Sequence, residues 1–109
     1  MRGLESKETY YYRGAFADAV RAIDFVCSRE KVDQDRLFAE GGSQGGALTL
    51  IAASLDHRID AIAPSVPFLS DYKDYFQIVH WPGEPILKAA AEKGISDEDL
   101  YKTLSYFDV

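Results

Sequence analysis

The chain has 109 residues, 47% of them hydrophobic and 28% charged, with a formal net charge of −6. That is enough for one modest globular domain burying roughly two-thirds of its unfolded surface, and the composition is neither disordered nor fibrous. Arg and Lys are scattered among acids with no basic stripe, a balance that opposes phosphate-backbone binding, so no nucleic-acid partner is expected; one cysteine excludes an internal disulfide and a cysteine metal cluster.

The first residues, Met1 to Ser6, hold no apolar core of the secretory kind, and no stretch approaches the ~20 apolar residues that span a membrane. In chain order, Thr9 to Arg29 reads as one amphipathic helix. Tyr12, Phe16, Ala19, Val20, Ile23, Val26 and Cys27 recur at three- and four-residue spacing and share a face. Ser6 and Thr9 are its candidate N-caps, and Cys27 reads as a small buried hydrophobe. After a polar connector over 32–35, Arg36 to Glu40 is a short strand cut off by Gly41 and Gly42. Gln44 to Leu55 is helical again and apolar almost all round, which predicts burial. Ile59 to Val66 is a second strand, interrupted by Pro64, and Pro67-Phe68-Leu69 follows as a loop. Shorter helices are expected over 71–79, 85–93 and 96–104, the last with Ser96 as its cap and acids in its first turn.

Strands joined through a helix of this length lie parallel in one sheet, so the fold class is α/β. Two parallel strands alone leave both faces and both edges of that sheet uncovered. The expectation is therefore a single, partial α/β domain over 1–109 that lacks neighbouring strands.

Gly41-Gly42-Ser43-Gln44-Gly45 sits where the first strand ends and the apolar helix begins. A serine on such a turn lifts its hydroxyl above the sheet, and small residues on either side, Gly41 and Gly45, keep strand and helix from colliding with it. The N–H of the following residue, Gln44, then faces the place where a tetrahedral oxyanion forms. Two other readings stand beside the nucleophile: a glycine-rich turn with an incidental serine, and an anion cradle at a helix N-terminus. A cradle of the Walker type would need a Gly-Lys-Ser or Gly-Lys-Thr ending that is missing here.

A nucleophilic serine needs a base, usually a histidine oriented by a carboxylate. His57 falls past the far end of the helix that follows Ser43. His80 comes after Asp71, so the order Ser43, Asp71, His80 is formally allowed, although a structural role for His80 beside Trp81 is the alternative.

Further blocks surround the motif: Thr9 to Arg13, Asp18 to Ala22, Val32 to Arg36, Gly41 to Gly46, Val66 to Leu69 and Thr103 to Asp108. Taken in this order, the series resembles the acetyl xylan esterase / cephalosporin C deacetylase family, carbohydrate esterases of the α/β-hydrolase fold. The chain looks like a central fragment of one. The resemblance implies a serine esterase that deacetylates acetylated xylo-oligosaccharides and small acetyl esters through an acetyl-enzyme, with Ser43 as nucleophile and the Gln44 N–H as half of the oxyanion hole. It also implies that the other oxyanion donor lies upstream of this chain. The acid and the histidine would lie downstream of the Thr103 to Asp108 block, so the piece alone is expected to be inactive. Pro67, Phe68 and Leu69 follow the C-terminal end of the second strand, where ligands bind in such sheets, and are candidates for the acetyl-pocket wall or for packing alone. Glu40 and Pro64 depart from the family's usual pattern. No cofactor and no metal are expected. A second reading is a non-catalytic binding module that covers its sheet edges with copies of itself, a homo-oligomer.

Overall fold

The computed structural model describes residues 2–109. They gather into two compact units, a strand unit of Gly14–Phe68 and a helical unit that joins the residues up to Arg13 with Leu69–Asp108. The first helix, α1 (Tyr11–Cys27), begins in the helical unit and continues into the strand unit.

In the strand unit, β1 (Leu37–Gly42) and β2 (Ile59–Ser65) pair in parallel and are connected through α2 (Gln44–Leu55). The register runs from Phe38 opposite Ala61 to Gly42 opposite Ser65, with an irregularity between Leu37 and Phe38. There the Asp60 carboxylate accepts the Leu37 N–H at 2.8 Å. β1 does not stop at Glu40 as its residue types suggest: Gly41 pairs with Pro64 and Gly42 with Ser65. Partner backbone overrides the low strand propensity of glycine here. Pro64 keeps its place inside β2, which among the described residues pairs with β1 alone and so has a side on which no N–H is required. Glu40 is exposed, so its carboxylate is met by solvent.

The apolar helix α2 is less buried than its composition predicts. Gly46, Ala47, Thr49 and Ala52 are buried, whereas Leu55 is 62% exposed. The sheet covers one side of the helix, and its remaining apolar side is open among the described residues. α1 shows the same division: Phe16 and Ile23 are buried, while Phe25 and Val26 are exposed and Cys27 is half-buried rather than buried. Between α1, β1 and α2 lies a groove of 370 Å³ lined by Ala19, Ala22, Val26, Leu48 and Ile59 among others. The end of α2 is tied down by charge. Asp56 is buried at its C-cap, and the Arg58 guanidinium reaches both Asp56 and, at 2.6 Å, Asp24 of α1.

The helical unit contains α3 (Tyr72–Ile78), α4 (His80–Glu92), α5 (Asp97–Leu104) and a closing 3₁₀ turn (Ser105–Phe107). Leu4, Tyr10, Leu69, Ile86, Leu100, Leu104 and Phe107 form its core. Tyr10 meets Phe107 edge-on at 4.9 Å between ring centres, and burial pushes the Tyr10 and Tyr72 phenols well above their ordinary pKa. Ser96 caps α5, accepting the Asp99 N–H at 3.2 Å, as its sequence predicts. Ser6 and Thr9 do not cap α1. They build the turn before it, with the Thr9 and Tyr10 amides donating to the Ser6 carbonyl at 3.1 and 3.0 Å. α4 begins earlier than expected, although Trp81 near its start is non-helical (φ −107°, ψ 131°). Among the described residues, no helix is long and apolar enough to cross a membrane.

Candidate active site

Ser43 lies between the last residue of β1 and the first of α2 and is exposed. Its backbone (φ 54°, ψ −117°) is one that a residue with a side chain rarely adopts. Such a conformation costs on the order of 1–3 kcal/mol and persists only where the surroundings enforce it. Here they do. The Ser43 N–H donates to the Ser65 carbonyl at 2.9 Å, and the Ser43 carbonyl accepts the Ala47 N–H at 3.2 Å and the Phe68 N–H at 3.1 Å. The serine backbone is thus held by the strand beside it, the helix after it and the loop beyond β2.

Glycine is required at two points around this turn. A Cβ on Gly41 would run into the Gly45 carbonyl and come within 2.8 Å of Thr49 Oγ1. On Gly46 it would lie 2.9 Å from the Ser65 carbonyl oxygen and 3.2 Å from Pro67 Cα. On Gly45 it would meet nothing within 4 Å. The sequence motif assigns the second small position to Gly45; the structure moves it to Gly46. Only the fold brings β2 and Pro67 against that glycine, so local spacing holds no signal for it beyond the Gly45-Gly46 pair.

Gln44 opens α2, so its N–H belongs to the first turn, where helix amides point outward and the helix dipole is positive. Of the three loop candidates, two stand beside the turn: Pro67 against Gly46, and Phe68 through its amide on Ser43. Leu69 is 1% exposed and packs in the helical unit. The loop carries more strain than its sequence suggests, with positive φ at Val66 (41°), Leu69 (71°) and Asp71 (46°). For a β-branched valine this is a rare conformation.

Both histidines have other surroundings. His57 is exposed and follows the C-cap of the 12-residue α2, about 18 Å along the axis from its start. His80 is exposed, with Nδ1 2.9 Å from Glu84 Oε1. Asp71 caps α3 by accepting the Asp74 N–H at 3.4 Å. Among the described residues, no group of three His, Cys, Asp or Glu is placed to hold a metal ion.

The family model described as Acetyl xylan esterase (AXE1) matches residues 1–109. The chain belongs to the acetyl xylan esterase family. A curated relative, Acetyl esterase Axe7A from Xylanibacter ruminicola, is 36% identical over 107 residues, which make up 98% of this chain and 24% of that protein. Among solved structures, an acetyl xylan esterase from Paenibacillus sp. R4 superposes with a TM-score of 0.88 at 41% identity, covering 97% of this chain and 35% of that one. Acetyl xylan esterase 1 from Thermoanaerobacterium sp. JW/SL YS485 gives 0.76 at 28% identity, covering 89% and 32%. The chain therefore spans a quarter to a third of the length of these relatives, and the turn at Ser43 and the loop after β2 both fall within the residues that the family model matches.

Proposed function

We propose that this chain is the nucleophile-bearing segment of a serine esterase that removes acetyl groups from acetylated xylo-oligosaccharides and similar small esters. The observation that carries the reading is the enforced, strained backbone of an exposed Ser43 at a strand–helix junction, in a chain of this family. In the first step the Ser43 Oγ attacks the acetyl carbonyl carbon and gives up its proton to a base. The carbonyl oxygen becomes an oxyanion that takes the Gln44 N–H. The C–O bond to the sugar then breaks, and the sugar oxygen leaves with the proton. In the second step water attacks the acetyl-enzyme, acetate departs, and Ser43 regains its hydrogen. Pro67 and Phe68 stand beside the turn and serve as the wall of the acetyl pocket, whereas the burial of Leu69 suits packing.

Residues 1–109 alone are proposed to be inactive, because the carboxylate and imidazole that sequence order allows are engaged elsewhere: Asp71 with Asp74, and His80 with Glu84. The test is hydrolysis of p-nitrophenyl acetate by purified 1–109 and by its Ser43→Ala variant. Equal rates are expected. Turnover that depends on Ser43 would instead favour an in-chain triad of Ser43, Asp71 and His80.

One observation favours a second property. Phe38 is 71% exposed and Leu55 62% exposed in the strand unit, large apolar side chains available for association with further copies of the chain. Size-exclusion chromatography decides this: a monomer peak independent of concentration removes it.

A further inference from the structure

Within the strand unit, β1 and β2 leave the sheet together. Gly42 and Ser65 are the last pair of the parallel register, so Ser43 and Val66 are the first residues past it, on strand ends about 4.8 Å apart. Both take positive φ, 54° and 41°, and both are exposed, Val66 to 78%. The chain is fastened to Ser43 on either side of Val66: the Ser65 carbonyl accepts the Ser43 N–H at 2.9 Å, and the Phe68 N–H donates to the Ser43 carbonyl at 3.1 Å. Only Val66 and Pro67 lie between these attachments, and every one of these residues belongs to the strand unit. A positive φ costs free energy in valine that glycine would avoid, and the proline that follows narrows the choice further. So exposed a side chain gains little from burial in return. The backbone path would be served by glycine; what valine adds is a branched apolar group at the strand end next to the one that carries Ser43.

We propose that Val66 is a specificity-determining residue of the Ser43 site: its branched side chain limits the acyl group accepted at residue 43 to acetyl, by occupying the space that the further carbons of a longer acyl chain need. This rests on the reading of Ser43 as the acyl-accepting residue, but its test needs no turnover. The protein used is 1–109 with Ser43→Cys in a Cys27→Ser background, because a thiolate attacks an activated ester without a neighbouring base. The sulfur bonds to the carbonyl carbon, the C–O bond to the nitrophenyl group breaks, and p-nitrophenolate leaves. Its release gives the acylation rate with p-nitrophenyl acetate and with p-nitrophenyl butyrate, each divided by the rate of the same ester with glutathione to remove its intrinsic reactivity. With Val66 in place the corrected ratio is expected to favour acetate by roughly tenfold or more, and Val66→Ala and Val66→Gly are each expected to bring it within about twofold of unity. Val66→Gly suits the positive φ and keeps the measurement decisive should alanine disturb the loop. A corrected ratio near unity with Val66 present, or a preference that neither variant changes, would overturn the proposal. Either result would leave the esterase reading standing, since that reading depends on Ser43 itself and not on the length of the acyl group.

Discussion

At Ser43 a residue with a side chain holds a backbone conformation that it would leave if unsupported, and the support is specific: one N–H to Ser65, and one carbonyl shared by Ala47 and Phe68. The glycines around it divide accordingly. Gly41→Ala and Gly46→Ala each push a Cβ onto backbone atoms that cannot step aside, and are expected to destabilise the strand unit by about 1–3 kcal/mol. Gly45→Ala adds a methyl into open space in a helix, where alanine is favoured over glycine, and is expected to be neutral or stabilising by up to about 1 kcal/mol. Urea unfolding of the three variants checks the order, and a Gly45→Ala loss as large as that of Gly41→Ala would show that the crowding is misassigned. The turn itself is legible in the sequence because the motif is local. The need for Gly46 is not, because Ser65 and Pro67 come against it only through the pairing of β2 with β1.

Among the elements, what a few neighbouring residues decide is readable in advance. The periodicity and glycine boundary of α2 predict its observed span, Gln44–Leu55, and the Ser96 cap of α5 follows from residue type. What depends on a distant partner is not. β1 runs on through its glycines because β2 supplies the pairing, and Ser6 and Thr9 build a turn, with the Thr9 hydroxyl donating to the Gly3 carbonyl at 3.1 Å, instead of capping α1. The end of α2 carries the clearest electrostatic signature of the fold. The Arg58 guanidinium, followed by its backbone N–H, lowers the Asp56 carboxyl from an ordinary 3.8 to about 2. A lowered carboxylate stabilises the native state above its unfolded pKa, and that contribution is lost as pH falls through the folded one. Asp56→Asn is therefore expected to lower the unfolding midpoint at pH 7, with the gap to the native chain narrowing as pH falls from about 4 towards 2. Urea unfolding at pH 7, 4 and 2.5 measures it; a gap that does not change with pH would remove the charge from the explanation.

On the scale of the molecule, the α/β class and the parallel order were legible from the alternation of strand, helix and strand, and the family from six short blocks spread over the chain. How the chain divides was not. Part of the apolar surface of α2 stays open among the described residues, and Leu69, which the sequence offers either as pocket wall or for packing, lies in the core of the helical unit. These outcomes follow from side-chain packing over long sequence separations, to which residue spacing is blind. Ser43 sits on a strained strand–helix turn that its neighbours enforce, in a chain spanning about a third of its solved relatives. The most direct test grafts residues 1–109 into the acetyl xylan esterase from Paenibacillus sp. R4, in place of the 35% of that chain they cover. Turnover of p-nitrophenyl acetate is then compared with and without Ser43→Ala. The expected result is an active graft whose kcat falls roughly 10⁴-fold or more when Ser43 is removed. A Ser43→Ala graft that keeps its kcat within about tenfold would contradict the assignment of Ser43 as the nucleophile.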